Sequence, residues 1–235
     1  MQRVRSGETT VRRAAVLIVL LAFGIAPHVR ATDPDAADRS IRRFLAADDA
    51  QPAYRATRRL EAENGGRSGW LEAVTEYSTE RGFHYQVTAE GGSGSIRGKV
   101  LRAVLDAERE AIEHNEIARS SLDRRNYAFE PSGVDAEGLA NIRLMPRRKD
   151  HVLVAGTLFL QPDEGTLVRL QGRLAKSPSF WVKDVEIVRA YERINGAIVP
   201  VSLESHAQLR LLGSGTLRMT YAYSEIDGRP VSPER

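Results

Sequence analysis

The sequence predicts a mainly β protein with one long and one short helix (α+β). The expected architecture is a curved antiparallel sheet of about ten strands with the helices against its concave face. Three observations predict it. Segments of alternating apolar and polar residues recur along most of the chain. Short turns such as Asn64-Gly65-Gly66, Pro162-Asp163-Glu164-Gly165 and Asn195-Gly196 separate consecutive strands. Such turns join antiparallel neighbours, because parallel strands need long crossovers. Finally, two helical segments are too little to cover about ten strands, so the sheet must curve to hide its apolar face.

Residues 1–31 read as a secretory signal peptide. Arg3, Arg5, Arg12 and Arg13 precede the 12-residue apolar run 14–25, which is shorter than the roughly 20 residues a membrane span needs. Pro27 follows, and Val29-Arg30-Ala31 sets up cleavage after Ala31. Arg12-Arg13 is followed by Ala14-Ala15-Val16 rather than Phe-Leu, so Sec export is expected over the twin-arginine route. The alternative is an uncleaved N-terminal anchor. The arginine-rich start points to a bacterial exported protein bound for the periplasm. The chain contains no cysteine, so it is not itself lipidated and has no disulfide, thiolate metal site or cysteine nucleophile.

Removing that segment's five arginines and one glutamate from the chain's 34 basic and 31 acidic residues leaves 29 and 30. The basic balance of the whole chain therefore belongs to the leader, and a nucleic-acid partner is excluded. The remaining 32–235 are expected to form one domain.

A short amphipathic helix is expected over 38–48, with Ile41, Phe44 and Leu45 on one face. Strands follow over 54–62, 70–77 and 83–89. In the first, Tyr54, Ala56, Leu60 and Ala62 alternate with polar residues, and only Arg58 spoils the pattern. A Gly/Ser loop at 91–98 leads to a long helix over about 99–118, with Leu101, Val104, Leu105 and Ile112 as its apolar stripe. Further strands are expected at about 126–131, 138–146, 151–160, 166–174, 181–194, 197–211 and 215–226.

A search for chemistry finds no catalytic constellation, no cofactor motif and no metal site. Gly92-Ser93-Gly94-Ser95-Ile96-Arg97-Gly98 is spaced GxGxxxG and has no βαβ unit around it, so it reads as a strand-to-helix connection. Glu110 and His114 stand one helical turn apart, but no second ligand pair accompanies them. Arg147-Arg148-Lys149-Asp150 reads as a solvated turn, or less readily as a contact for anionic lipid headgroups.

From 146 to 227 the chain resembles the outer-membrane lipoprotein-sorting (LolA-like) superfamily, and more closely an uncharacterised branch of exported bacterial proteins. The resemblance is carried by a strand pair bounded by Gly156 and Gly172, by Pro178-Ser179-Phe180-Trp181, and by Tyr191, Gly196 and Pro200. It implies a half-barrel of antiparallel strands closed by helices around an apolar cavity. It also implies a carrier of lipids or lipoprotein acyl chains across the periplasm.

The inward parity of the strands nominates Leu60, Tyr85, Val87, Val168, Leu170, Trp181, Val201, Leu203, Leu209, Met219 and Tyr221 as cavity-lining residues. The expected function is thus non-catalytic binding of a lipid or acyl chains. The alternative is a periplasmic or envelope protein-interaction or sensor module on the same fold; a hydrolase ranks third.

Overall fold

The computed structural model describes residues 34–47, 51–178, 182–210 and 213–232. The expected signal peptide 1–31 and Trp181 lie outside them. Among the described residues, one open antiparallel sheet holds every strand. Its strands are β1 (Tyr54–Asn64), β2 (Arg67–Ser78), β3 (Gly82–Gly92), β4 (Tyr127–Val134), β5 (Ala140–Pro146), β6 (Val154–Leu160), β7 (Leu167–Leu174), β8 (Val182–Ile194), β9 (Ala197–Leu209), β10 (Gly213–Ile226) and the two-residue β11 (Arg229–Pro230). The spatial order is β3-β2-β1-β10-β9-β8-β7-β6-β5-β4, with β11 on β10. The sheet is therefore two meanders zipped together where β1 pairs β10, Leu60 opposite Met219. This is the curved half-barrel that the strand count requires.

β3 and β4 lie at opposite edges of the sheet. The chain between them has to cross a face, and it does so as a helix. This helix, α2, runs through Gly94–Ile96, a π-wound stretch Arg97–Arg102, and Ala103–Glu113. The expected span of 99–118 is displaced toward the N-terminus at both ends. β3 continues through Gly91 and Gly92, so no loop separates strand from helix. Gly92 has φ +77°, and a Cβ there would meet the Ser68 carbonyl oxygen at 2.6 Å. That carbonyl accepts from the Ser93 amide at 2.8 Å, and the Arg97 amide then donates to Ser93 O at 3.0 Å, which opens the helix. The other end stops at Asn115, whose φ of 56° is left-handed.

Helix α1 (Pro34–Ala46) begins earlier than expected and lies over β4 and β5. Ser40 Oγ donates to the Pro162 carbonyl at 2.7 Å, pinning the helix to the turn between β6 and β7.

The apolar residues fall into two clusters. One packs α2 (Ile96, Leu101, Leu105) against β1, β2 and β3 and against Leu203 and Met219. The other packs α1 (Ile41) against Ile142, Leu144, Leu158, Leu160, Leu167 and Leu170. Ile187 on β8 touches both. The helices pack mainly on β1–β3 and on β4–β5. The middle of the concave face is consequently floored by half-buried residues of β8 and β10, among them Ile187, Tyr191, Tyr221 and Tyr223.

Candidate functional site

The concave face is not purely apolar. β1 buries Tyr54, Ala56, Arg58, Leu60 and Ala62 in strict alternation. Arg58 thus keeps the inward parity it was expected to break, and its side chain is only 2% exposed. Across the ladder it faces Ala73 on β2 and Tyr221 on β10. Its guanidinium lies 5.6, 5.1 and 4.7 Å from the ring centres of Tyr54, Phe83 and Tyr221. The charge is met from above by α2. Glu108 accepts from Arg58 Nη1 at 2.5 Å and from Nη2 at 2.9 Å, a bidentate pair. Nη2 also donates to the Tyr54 hydroxyl.

Burial by itself would lower the Arg58 pKa, but the bond and charge of Glu108 overcome that and raise it. Burial pushes the hydroxyls of Tyr54, Tyr221 and Tyr223 upward, so all three stay protonated. Tyr223 donates to the Pro200 carbonyl at 2.8 Å, and Tyr221 stacks on Tyr223 at 6.1 Å.

Two further polar ties hold α2 to the sheet. Tyr85 donates to Asp106 at 2.8 Å. Glu90 of β3 pairs Arg97 at 2.5 Å and Arg102 at 2.7 Å. All of these are single ion pairs or hydrogen bonds between helix and sheet.

A second, half-buried cation stands beside the first. On β8, Arg189 lies opposite Leu170 and Leu203. Its neighbours are Tyr191, to which it is hydrogen-bonded, Tyr221 and, farther off, Glu108. Its Nε is buried with no hydrogen-bond partner.

Among the expected lining residues, Leu60, Leu203 and Met219 belong to the α2 core, with Tyr85, Val87 and Tyr221 packed against it. Leu170 belongs to the α1 core. Val168, Val201 and Leu209 are half-buried. Val168 sits in a bulge: Leu167 pairs Leu160 and Arg169 pairs Phe159, so Leu167 takes the buried place. Val201 occupies another bulge, between Pro200 opposite Tyr191 and Ser202 opposite Ala190. A pocket of about 470 Å³ opens elsewhere, where Glu61, Trp70, His206 and Arg218 meet, and none of the expected lining residues contributes to it.

The reading missed Arg58, Glu108 and Arg189. Each nonetheless left a signal. Arg58 shares parity with Ala56 and Leu60, and Arg189 shares parity with Val185 and Ile187. Glu108 fills the gap in the apolar stripe between Leu105 and Ile112. A charge at a core parity position is costly unless a partner compensates it, so such positions mark paired or functional groups.

His114 donates from Nδ1 to the Glu110 carbonyl at 2.9 Å, not to its carboxylate. Among the described residues, no histidine is hydrogen-bonded to a hydroxyl, and no three His, Asp or Glu residues are grouped to hold a metal.

The basic run is a staple rather than a free patch. Arg147 donates to the Arg124 carbonyl at 2.9 Å. Arg148 donates to Asn126 Oδ1 at 2.6 Å and to the Arg119 carbonyl at 2.7 Å. Asp150 anchors Arg119 at 3.1 Å and Arg148 at 3.4 Å. Burial would raise the Asp150 carboxyl, but the bonds from Arg119, Val152 N and Arg148 hold it below its ordinary value. A carboxyl depressed in the folded state takes up its proton more readily when unfolded. Its contribution is therefore complete above the unfolded value of about 3.9 and lost as pH falls through the lower folded value. Melting temperature measured from pH 6 to 2.5 is expected to fall less steeply below pH ~4 in Asp150→Asn than in wild type. Parallel curves would refute this role.

Fold and site together define an open, curved antiparallel sheet with a helix tied across its concave face by a buried ion pair. No protein-family model matches the chain, and no curated protein matches it. Solved structures do. A DUF1329 family protein from Desulfovibrio piger covers 81% of this chain and 92% of its own, at 12% identity and a TM-score of 0.38. MucB covers 80% and 93%, at 11% identity and a TM-score of 0.23. The Pseudomonas aeruginosa MucA/MucB complex covers 86% and 99%, at 12% identity and a TM-score of 0.21.

Proposed function

We propose that this chain is an exported, non-catalytic binding module of the bacterial envelope, on a LolA-like half-barrel formed by 32–235. Its concave face takes the acyl chain of a lipid or lipoprotein. The observation that carries the reading is the half-buried floor of Ile187, Tyr191, Tyr221 and Tyr223 between two cored ends. An apolar, aromatic strip of this kind is what a long hydrocarbon would cover. The α2 helix beside it is held by Ile96, Leu101 and Leu105 in the core and by polar ties from Glu108, Asp106 and Arg97. No helix among the described residues is long and apolar enough to cross a membrane. The leader 1–31 supplies export, and N-terminal sequencing of the exported product is expected to begin at Thr32.

The test is binding of a fluorescent long-chain fatty acid at micromolar concentration. Ile187 is half-buried on this floor and touches both cores. Ile187→Asn is expected to weaken binding about tenfold, the scale of one apolar side chain withdrawn from the contact. No binding by wild type, with no lipid co-purifying, would reject the lipid reading. It would favour a protein-interaction module instead. One observation already supports that second reading: the open sheet ends in β3 and β4, whose outer edges pair with no described strand and could accept a partner strand.

A further inference from the structure

We infer that Arg189 is a recognition site for the anionic head of the bound amphiphile, a long-chain carboxylate whose tail lies on the floor of β8–β10. The inference rests on the binding reading above and adds the chemistry of the head.

Arg189 and Arg58 are inward-facing cations on one concave face, but only one of them is compensated. Glu108 spends both carboxylate oxygens on Arg58. Arg189 makes no ion pair with any described carboxylate. What surrounds it is Tyr191 and Tyr221, with Glu108 farther off and Leu170 and Leu203 directly across the ladder on either side. Its Nε is sealed from solvent and has no acceptor.

A guanidinium cannot shed its charge, so this group stays a cation in apolar and aromatic surroundings. The cluster of Arg58, Arg189 and Glu108 carries one positive charge too many. A planar carboxylate supplies what is missing: one negative charge and two acceptor oxygens that fit the guanidinium fork. Arg189 as a residue remains half-buried rather than sealed, which leaves a headgroup a route to it. A tail attached to that head would run onto Ile187, Tyr221 and Tyr223, which are half-buried on this face.

The experiment compares a long-chain fatty acid with the fatty alcohol of the same length. Both compete against a neutral fluorescent acyl probe, on wild type, Arg189→Met, Arg189→Gln and Arg189→Lys. Wild type is expected to prefer the acid by at least about tenfold, the scale of one charge-assisted hydrogen bond. The preference should vanish in Arg189→Met and Arg189→Gln, with alcohol affinity unchanged, and persist in part in Arg189→Lys. Arg189→Met removes an uncompensated charge, so it is expected to melt no lower than wild type without ligand. Equal affinity of wild type for acid and alcohol overturns the carboxylate site while leaving the acyl-binding reading standing. A preference that survives in Arg189→Met or Arg189→Gln overturns it equally. Failure of wild type to bind acid, alcohol or probe brings down the acyl-binding reading and the carboxylate site with it.

Discussion

Replacing Glu108 by leucine lowers stability by about 3–5 kcal/mol, the cost of a buried charge stripped of its partner. Replacing Arg58 by methionine changes it by no more than about 1 kcal/mol, because a buried ion pair gains little over an apolar residue of similar size. The asymmetry follows from where each partner sits. The Arg58 side chain is 2% exposed and the Glu108 side chain 30%. Without Glu108, the guanidinium stays sealed among Tyr54, Phe83 and Tyr221, and three ring faces do not replace a carboxylate. Without Arg58, the Glu108 carboxylate turns to the water it already touches. The double variant Arg58→Met/Glu108→Leu is expected to recover most of the loss. Chemical denaturation of the four proteins measures all of this. Equal losses in the two single variants would show that the pair is not buried as described.

Gly156→Ala is the second large effect, about 3 kcal/mol of destabilisation, at the upper end for overpacking. Gly156 on β6 stands directly opposite Gly172 on β7. A Cβ on Gly156 would lie 2.0 Å from the Gln171 carbonyl oxygen and 2.6 Å from the Gly172 Cα. Those are backbone atoms of a paired strand, and no rotamer change relieves the clash. The glycine pair marks a tight bend where two backbones approach closely, a site that a side chain would force apart. Gly98→Ala is the control. A Cβ there meets nothing within 4 Å, and the position lies in the helical chain of α2. It is expected to be neutral or stabilising by up to about 1 kcal/mol, since alanine is the better helix former. Thermal and denaturant unfolding of both variants tests the contrast. A neutral Gly156→Ala would mean that the strands are not in this register.

Glu108 and the Gly156–Gly172 pair were legible to different degrees in the sequence. The glycines were marked by the resemblance to the LolA-like branch, as the bounds of a strand pair. Glu108 was read as part of a charged helix face, although it stands in the apolar stripe of α2. The difference is one of reach. Alternation, helical period and turn residues act over a few neighbours, and they sufficed for ten strands, two helices and the antiparallel order within each meander. Helix ends were less legible. Glycine-rich 91–98 suggested a loop, whereas contact with Ser68 carries β3 directly into α2.

What the sequence determined by itself was therefore the class of structure: a curved antiparallel sheet with little helix to cover it. Only the tertiary structure decided that β1 pairs β10, that α2 crosses from one edge of the sheet to the other, and that Arg58 is compensated while Arg189 is not. The physical reason is that a buried charge is tolerated only by virtue of its partner. Glu108 is 50 residues from Arg58 along the chain, and no local pattern carries that distance.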